Sequence, residues 1–265
     1  MDALAALRLQ IEWGADEALG AEPLNRFGSF QAAEMPSTPP QQVAPSRPTA
    51  TRSAAITIYS AVAVVERAQA AAAQARSLDE LAAALAAFDG CALAATATSL
   101  VFGAGDPAAS LMLVGDVPGA DEDRVGRPFV GRDGQLLGRM LQSIGLSLES
   151  VRLSLVVPWR PPGGRQPTAA EVAVCLPFLR RHIALVAPAR LVTVGALAMR
   201  ALLGDAATPA RSRGRWTDLH VAGLDRAVPL LPIVHPQQLA SRPEQKAAVW
   251  RDLRQLRRTL DDNNG

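Results

Sequence analysis

Leu111-Met112-Leu113-Val114-Gly115-Asp116-Val117-Pro118-Gly119 is the stretch on which the fold turns. Four consecutive apolar residues run into a loop bounded by glycines and carrying a carboxylate. An apolar run without alternation, ended by turn residues, fits a strand buried on both faces, as in a parallel sheet. Three further runs have the same character, at 151–157, 190–194 and 228–234. Helical stretches lie near 133–144, 168–186, 196–204 and 243–260. Strands alternating with helices predict an α/β chain: three layers, α/β/α, around a central, mainly parallel four-stranded sheet. In such sheets ligands bind at the carboxyl ends of the strands. The conspicuous loops follow three of the runs: Gly115 to Gly119, Trp159-Arg160-Pro161-Pro162, and His235-Pro236. Three loops on one rim make a candidate site.

Upstream the composition changes. Residues 1–20 read as an amphipathic helix. Residues 21–53 are rich in Pro, Ser and Gln, bury too little apolar surface to fold, and read as a linker. Residues 54–88 are alanine-dense and helical by propensity, with Ser77-Leu78-Asp79-Glu80 shaped like a capping box. The α/β domain is expected over 89–265.

Of the 265 residues, 49% are hydrophobic, enough for a sizeable core, and no apolar run reaches the ~18–20 residues of a membrane span. The N-terminus lacks the basic region of a signal peptide. Two cysteines fit a reducing compartment, so a cytoplasmic protein is expected. Net charge is only +2, and arginine supplies nearly all the positive charge, in clusters at Arg180-Arg181, Arg211-Ser212-Arg213-Gly214-Arg215 and Arg251 to Arg258. Arginine suits phosphate contacts; arginine-preferring codon usage explains the same clusters. Neither a GxxxxGK[ST] loop nor a strand–GxGxxG–helix unit is present, which disfavours a nucleotide-binding loop.

The loop residues carry paired readings. Asp116, Asp121, Glu122 and Asp123 could position water or a cation, or form an acidic surface turn. Phe129, between Gly126 and Gly131, could stack on a flipped base or anchor its loop to the core. His235 ends the last strand beside the other special loops, a placement that favours function. His220 has no comparable placement, and His182 is expected on a helix surface.

Together these pieces resemble the family 4 uracil-DNA glycosylases, the iron–sulfur type. The resemblance runs from about Cys91 to the C-terminus. It rests on Cys91-Ala92-Leu93, Val101-Phe102-Gly103, Gly115-Asp116-Val117-Pro118-Gly119, Glu122-Asp123, Gly126-Arg127-Pro128-Phe129-Val130-Gly131, Trp159-Arg160-Pro161-Pro162, Arg165-Gln166-Pro167-Thr168, the Glu171/Cys175 spacing and His235-Pro236. It implies a uracil-DNA glycosylase-like fold and hydrolysis of the N-glycosidic bond of a flipped base in DNA repair. By resemblance Asp116 and Glu122 act on water and the sugar cation, and His235 stabilises the leaving base. Phe129 stacks, and Gly115, Pro118, Gly119 and position 155 line the base pocket. Arg160, Arg165, Gln237, Gln238, Leu239 and Arg242 fall where DNA is contacted. DNA, single- or double-stranded, is the implied partner of a monomeric protein associated with the bacterial nucleoid and not with a membrane.

Three departures sit at the chemistry. The family's four cluster cysteines align with Phe88, Cys91, Trp159 and Cys175, and two thiolates cannot supply the four ligands of a [4Fe–4S] cluster. No cofactor is therefore expected, and Cys91 and Cys175 read as remnants lying near one another. Asp116 stands where the family has Glu, one methylene shorter. Leu155 stands where the family has the Asn that reads the uracil edge. Retention of Glu122, Phe129 and His235 supports an enzyme. Leu155 and Asp116 support the alternative, a catalytically degenerate DNA- or partner-binding protein on the same scaffold.

Overall fold

The computed structural model describes residues 50–261. The expected helix over 1–20 and the linker up to residue 49 lie outside the described residues. Two helices open the described chain, α1 (Ala50–Gln74) and α2 (Leu78–Ala86). Ser77 Oγ accepts the Glu80 N–H at 3.1 Å, and the Glu80 carboxylate reaches back to the Arg76 N–H at 2.7 Å. The capping box thus closes one residue earlier than its sequence pattern predicts.

The four apolar runs form the parallel core of the sheet: β2 (Leu111–Gly115), β3 (Arg152–Leu155), β4 (Arg190–Val194) and β6 (Val228–Ile233). Two short antiparallel strands, β1 (Ala104–Gly105) and β5 (Thr217–Leu219), were not foreseen and extend the sheet to six in the order β1-β3-β2-β4-β6-β5. Gly105 shows why β1 is legible only in three dimensions. Its φ is +79°, and a Cβ there would stand 1.9 Å from the Val151 carbonyl, so glycine lets the edge strand close on the sheet.

Helices cover both faces. Besides α1 and α2 these are α3 (Ala120–Val125), α4 (Arg132–Gln142), α5 (Ala169–Val186), α6 (Ala196–Leu203), α7 (Pro209–Ser212), α8 (Pro236–Ser241) and α9 (Lys246–Asp261). Side chains alternate across the sheet as strand geometry requires. Met112, Val114, Leu191 and Leu230 enter one core with α2, α5 and α6. Leu111, Leu113, Val192, Val194, Leu231 and Ile233 enter the other with α4 and α9. Both faces being buried is why the runs show no polar alternation.

His182 corrects the expectation of a surface residue: it is 2% exposed, on the inner face of α5. Arg152 Nε donates to its Nε2 at 3.0 Å, Ser154 Oγ lies 3.2 Å from Nδ1, and Phe102 stacks on the ring at 4.6 Å. Burial first, and the Arg152 charge second, push its pKa down to about 3. The unfolded chain takes this proton near pH 6.5 and the folded chain does not, so stability is full above that value and lost as pH falls towards 3. The slope is about 1.4 kcal/mol per pH unit, or roughly 2 kcal/mol by pH 5. Urea midpoints should fall accordingly between pH 7.5 and 5. His182→Gln should flatten that dependence; an unchanged slope in the variant would refute this origin.

Candidate base-excision site at the carboxyl edge of the sheet

Strand register lines up one residue from each parallel strand at the carboxyl edge. Leu155 pairs with Gly115, Gly115 with Val194, and Val194 with Ile233. The chain leaves β2 for β3 on one side and later returns to β4 on the other. The β2–β4 boundary is therefore the topological switch point where α/β sheets bind ligands.

Asp116 sits there. Its Oδ1 accepts the Ala198 N–H at 2.7 Å, so it caps α6 in place of the side chain that Gly195 lacks. The carboxylate lies against Gly195, where a Cβ would be 2.4 Å from Oδ2 and where φ is +119°. Burial raises the Asp116 pKa. The Ala198 and Leu197 N–H groups and the charges of His235 and Arg200 pull it back only in part. Gly195 was not singled out in the sequence; a glycine between a strand run and a helix was the only trace it left.

Glu122 is placed differently from the role its motif implies. Its Oε2 accepts the Gly119 N–H and its Oε1 the Gly131 N–H, both at 3.1 Å. Both oxygens tie two loops together, so this carboxylate organises the site. Asp123, read in the sequence as a group for water or a cation or as part of an acidic surface turn, is instead buried and accepts the Thr98 and Ser99 N–H groups at 2.9 and 3.3 Å. The acidic loop is a set of braces.

Phe129 takes the second of its sequence readings, anchoring its loop to the core. It is 7% exposed and has φ +58°, rare for a non-glycine residue. Its ring lies over Gly115, where a Cβ would be 2.6 Å from the ring Cζ and 2.9 Å from Leu155 Cδ2. Gly115, Phe129 and Leu155 thus converge, with Leu155 buried in the second core. Pro118 is buried and Gly119 exposed at the head of α3.

His235 stands at the end of β6, and its Nδ1 accepts the Gln237 N–H at 3.3 Å. In the neutral ring that contact leaves the proton on Nε2, making Nε2–H the outward donor. The rim residues divide. Arg160 is half-buried and Gln237, Gln238 and Arg242 are exposed. Arg165 instead grips Glu171 through two contacts of 2.9 and 2.7 Å, which hold the Glu171 pKa near 2. Leu239 corrects its expected place on the DNA rim, because it is 6% exposed and packs in the second core.

A family model of the uracil DNA glycosylase superfamily matches residues 102–254, more than half of the chain and every strand of the sheet. The chain belongs to the uracil-DNA glycosylase superfamily. It is 33% identical over 184 residues to a type-4 uracil-DNA glycosylase of Archaeoglobus fulgidus, covering 68% of this chain and 92% of that one. It is 34% identical over 169 residues to that of Pyrobaculum aerophilum, covering 62% and 85%. With the Thermotoga maritima type-4 uracil-DNA glycosylase it shares 41% identity over 109 residues, 41% of this chain and 57% of the relative. The similarity places this superfamily member in family 4, as its motifs imply.

The residues at the family's cluster positions do not fit a four-thiolate cluster. Phe88 and Trp159 are 7% and 4% exposed and share one hydrophobic core with Cys91 and Cys175. Phe88 packs edge-on against Phe178 at 5.3 Å. A hydrogen bond from Cys175 lowers the Cys91 thiol to about 7, and the same contact with burial raises Cys175. Aromatic packing occupies two positions and a pair of buried thiols the other two. Among the described residues no group of three or more His, Cys, Asp or Glu side chains could hold a metal ion, and no helix is long and apolar enough to cross a membrane.

Proposed function

We propose that this chain is a DNA glycosylase that hydrolyses the N-glycosidic bond of a flipped uracil or other damaged base without an iron–sulfur cluster. The observation that carries the reading is the meeting of Asp116, Phe129 and His235 at one switch point in a family 4 chain. Phe129 offers a ring for stacking. Water adds to C1′ of the sugar, the bond to the base breaks, and its electron pair leaves with the base. His235 Nε2–H is the donor placed to stabilise that developing charge. Asp116, half-buried and anchored on α6, is the carboxylate placed to steady the sugar cation or the attacking water. Glu122 acts through the two loops it joins. The protein works as a monomer on DNA in the cytoplasm, at the nucleoid.

The test is excision from single- and double-stranded oligonucleotides carrying uracil, hypoxanthine or a mismatched base, read as strand scission after alkali. Cleavage that disappears in His235→Ala and Phe129→Ala supports the proposal. DNA binding with no excision of any base favours a catalytically degenerate binding protein on the same scaffold. The close packing of Leu155 and Phe129 on Gly115 is the observation in favour of that second reading.

The cluster-free reading has its own check. Anaerobically purified protein should be colourless, without an absorbance band near ~400 nm and without bound iron. Stoichiometric iron would overturn it.

A further inference from the structure

Arg213 lies in an arginine-rich loop that the reaction described above does not use. The loop is clamped from two sides. The Gly214 N–H donates to the Pro232 carbonyl at 2.9 Å, close to the end of β6 and to His235. Gly214 has φ +66°, and a Cβ there would be 2.4 Å from Asp252 Oδ1 on α9. With its amide turned so that both ends are satisfied, Gln255 donates to the Gly214 carbonyl at 3.0 Å and accepts from Trp216 Nε1 at 3.2 Å. The backbone beside Arg213 is therefore fixed.

Its side chain is 28% exposed and lines a narrow cleft with Gly195, Ala196, Met199, His235 and Gln238. Behind it stands Asp252, 6% exposed, with Oδ2 buried and lacking a hydrogen bond. Arg213 Nη1 is 3.9 Å from that oxygen, close enough to balance charge and too far to consume a donor. Among the described residues the guanidinium makes no hydrogen bond, so its donors remain free for a ligand. Among the described residues no carboxylate lines the cleft, and Arg213 and His235 are the side chains there that can carry positive charge. The chemistry selects an anion.

Size excludes a base. The cleft holds about 30 Å³, about the share of one water in the liquid. That is room for a phosphate oxygen and not for a nucleobase. It also shares Gly195 with the seat of Asp116, the carboxylate assigned above to the sugar.

We propose that Arg213, braced by Asp252, binds a DNA backbone phosphodiester beside the excised nucleotide. The proposal rests on the DNA-acting reading above for the identity of the polymer. A planar guanidinium with free N–H groups presents a donor pair that matches phosphate oxygens.

The test measures binding of a labelled, uracil-free single-stranded oligonucleotide by fluorescence anisotropy between ~50 and ~200 mM salt. Loss of one phosphate contact should reduce the slope of log K against log salt by about one. Arg213→Ala should show that change and weaker binding, equally for uracil-containing DNA. Arg213→Lys should keep the slope, and Arg139→Ala on the exposed face of α4 should not alter it. Where the alanine variant fails to fold, Arg213→Gln keeps the bulk and removes the charge. A folded Arg213→Ala or Arg213→Gln protein with the wild-type slope overturns the proposal, as does absence of DNA binding. So does stabilisation by inorganic phosphate that needs Arg213 while the DNA slope ignores it, which would mark a free-phosphate site. Excision is scored separately. A protein that binds through Arg213 and excises nothing refutes only the glycosylase reading, and an excising protein with an unmoved slope refutes only this inference.

Discussion

Gly134→Ala should lower excision on the protein's best substrate by at least about a hundredfold. In an exposed helix this change is stabilising by about 1 kcal/mol, because alanine forms helix better than glycine. Gly134 is buried in α4, facing the loop that carries Phe129. A Cβ there would stand 1.9 Å from the Phe129 carbonyl oxygen and 2.1 Å from its carbon. Those are backbone atoms, so no side-chain rotation relieves the clash. Either α4 moves or Phe129 does. Phe129 is the weaker party, since it already sits at φ +58°, a region costing a non-glycine residue roughly 1–3 kcal/mol. A shift of about 1 Å would lift its ring off Gly115, and misplacements of that size cost about a hundredfold in rate. The melting temperature should fall as well. An excision rate and melting temperature equal to the parent's would refute this reading of α4 as the seat of the stacking ring.

The second large effect is a gain. Leu155→Asn with Asp116→Glu should excise uracil at least tenfold faster than the parent, which should be weak or silent on that base. Leu155 is 6% exposed and ends β3 next to Gly115 and Phe129. Uracil bound against it would leave polar edge atoms unpaired, at about 1–3 kcal/mol each. Asparagine of similar volume offers one donor and one acceptor, each contributing about 0.5–1.5 kcal/mol when paired. The same asparagine without uracil is a buried, unpaired amide, so the variant should melt lower and recover on binding uracil-containing DNA. Asp116 needs the longer side chain for a different reason: its carboxylate is drawn back over Gly195 onto the Ala198 N–H. Glutamate gains the reach of one methylene towards the nucleotide. A parent that already excises uracil efficiently would show that backbone groups read the edge. A folded, silent double variant would point to the non-catalytic scaffold.

The parallel core was legible because its signal is local. Each apolar run is short, unbroken and ended by a turn residue, and each became a strand within two residues of the predicted ends. The site loops were legible for the same reason, since glycine and proline next to a strand end mark a rim. β1 and β5 were not, because two or three residues carry no period. Charge roles were legible least. Glu122 and Asp123 sit in a motif that reads as chemistry, yet their oxygens hold backbone N–H groups of Gly119, Gly131, Thr98 and Ser99. A carboxylate looks the same in a sequence whether it faces substrate or backbone.

The sequence by itself determined the α/β class, the family, the rim on which the candidate site lies and the presence of only two of the four cluster cysteines. All of these depend on residue type and spacing along the chain. Tertiary structure decided what each polar group spends its hydrogen bonds on. It buried His182 beside Arg152, moved Leu239 from rim to core, paired Arg165 with Glu171, and brought Asp252 behind Arg213 from a different helix. Such partners are brought together by packing across the sheet. Burial then removes the water that would otherwise satisfy each group, so the neighbour, and not the residue type, sets its role.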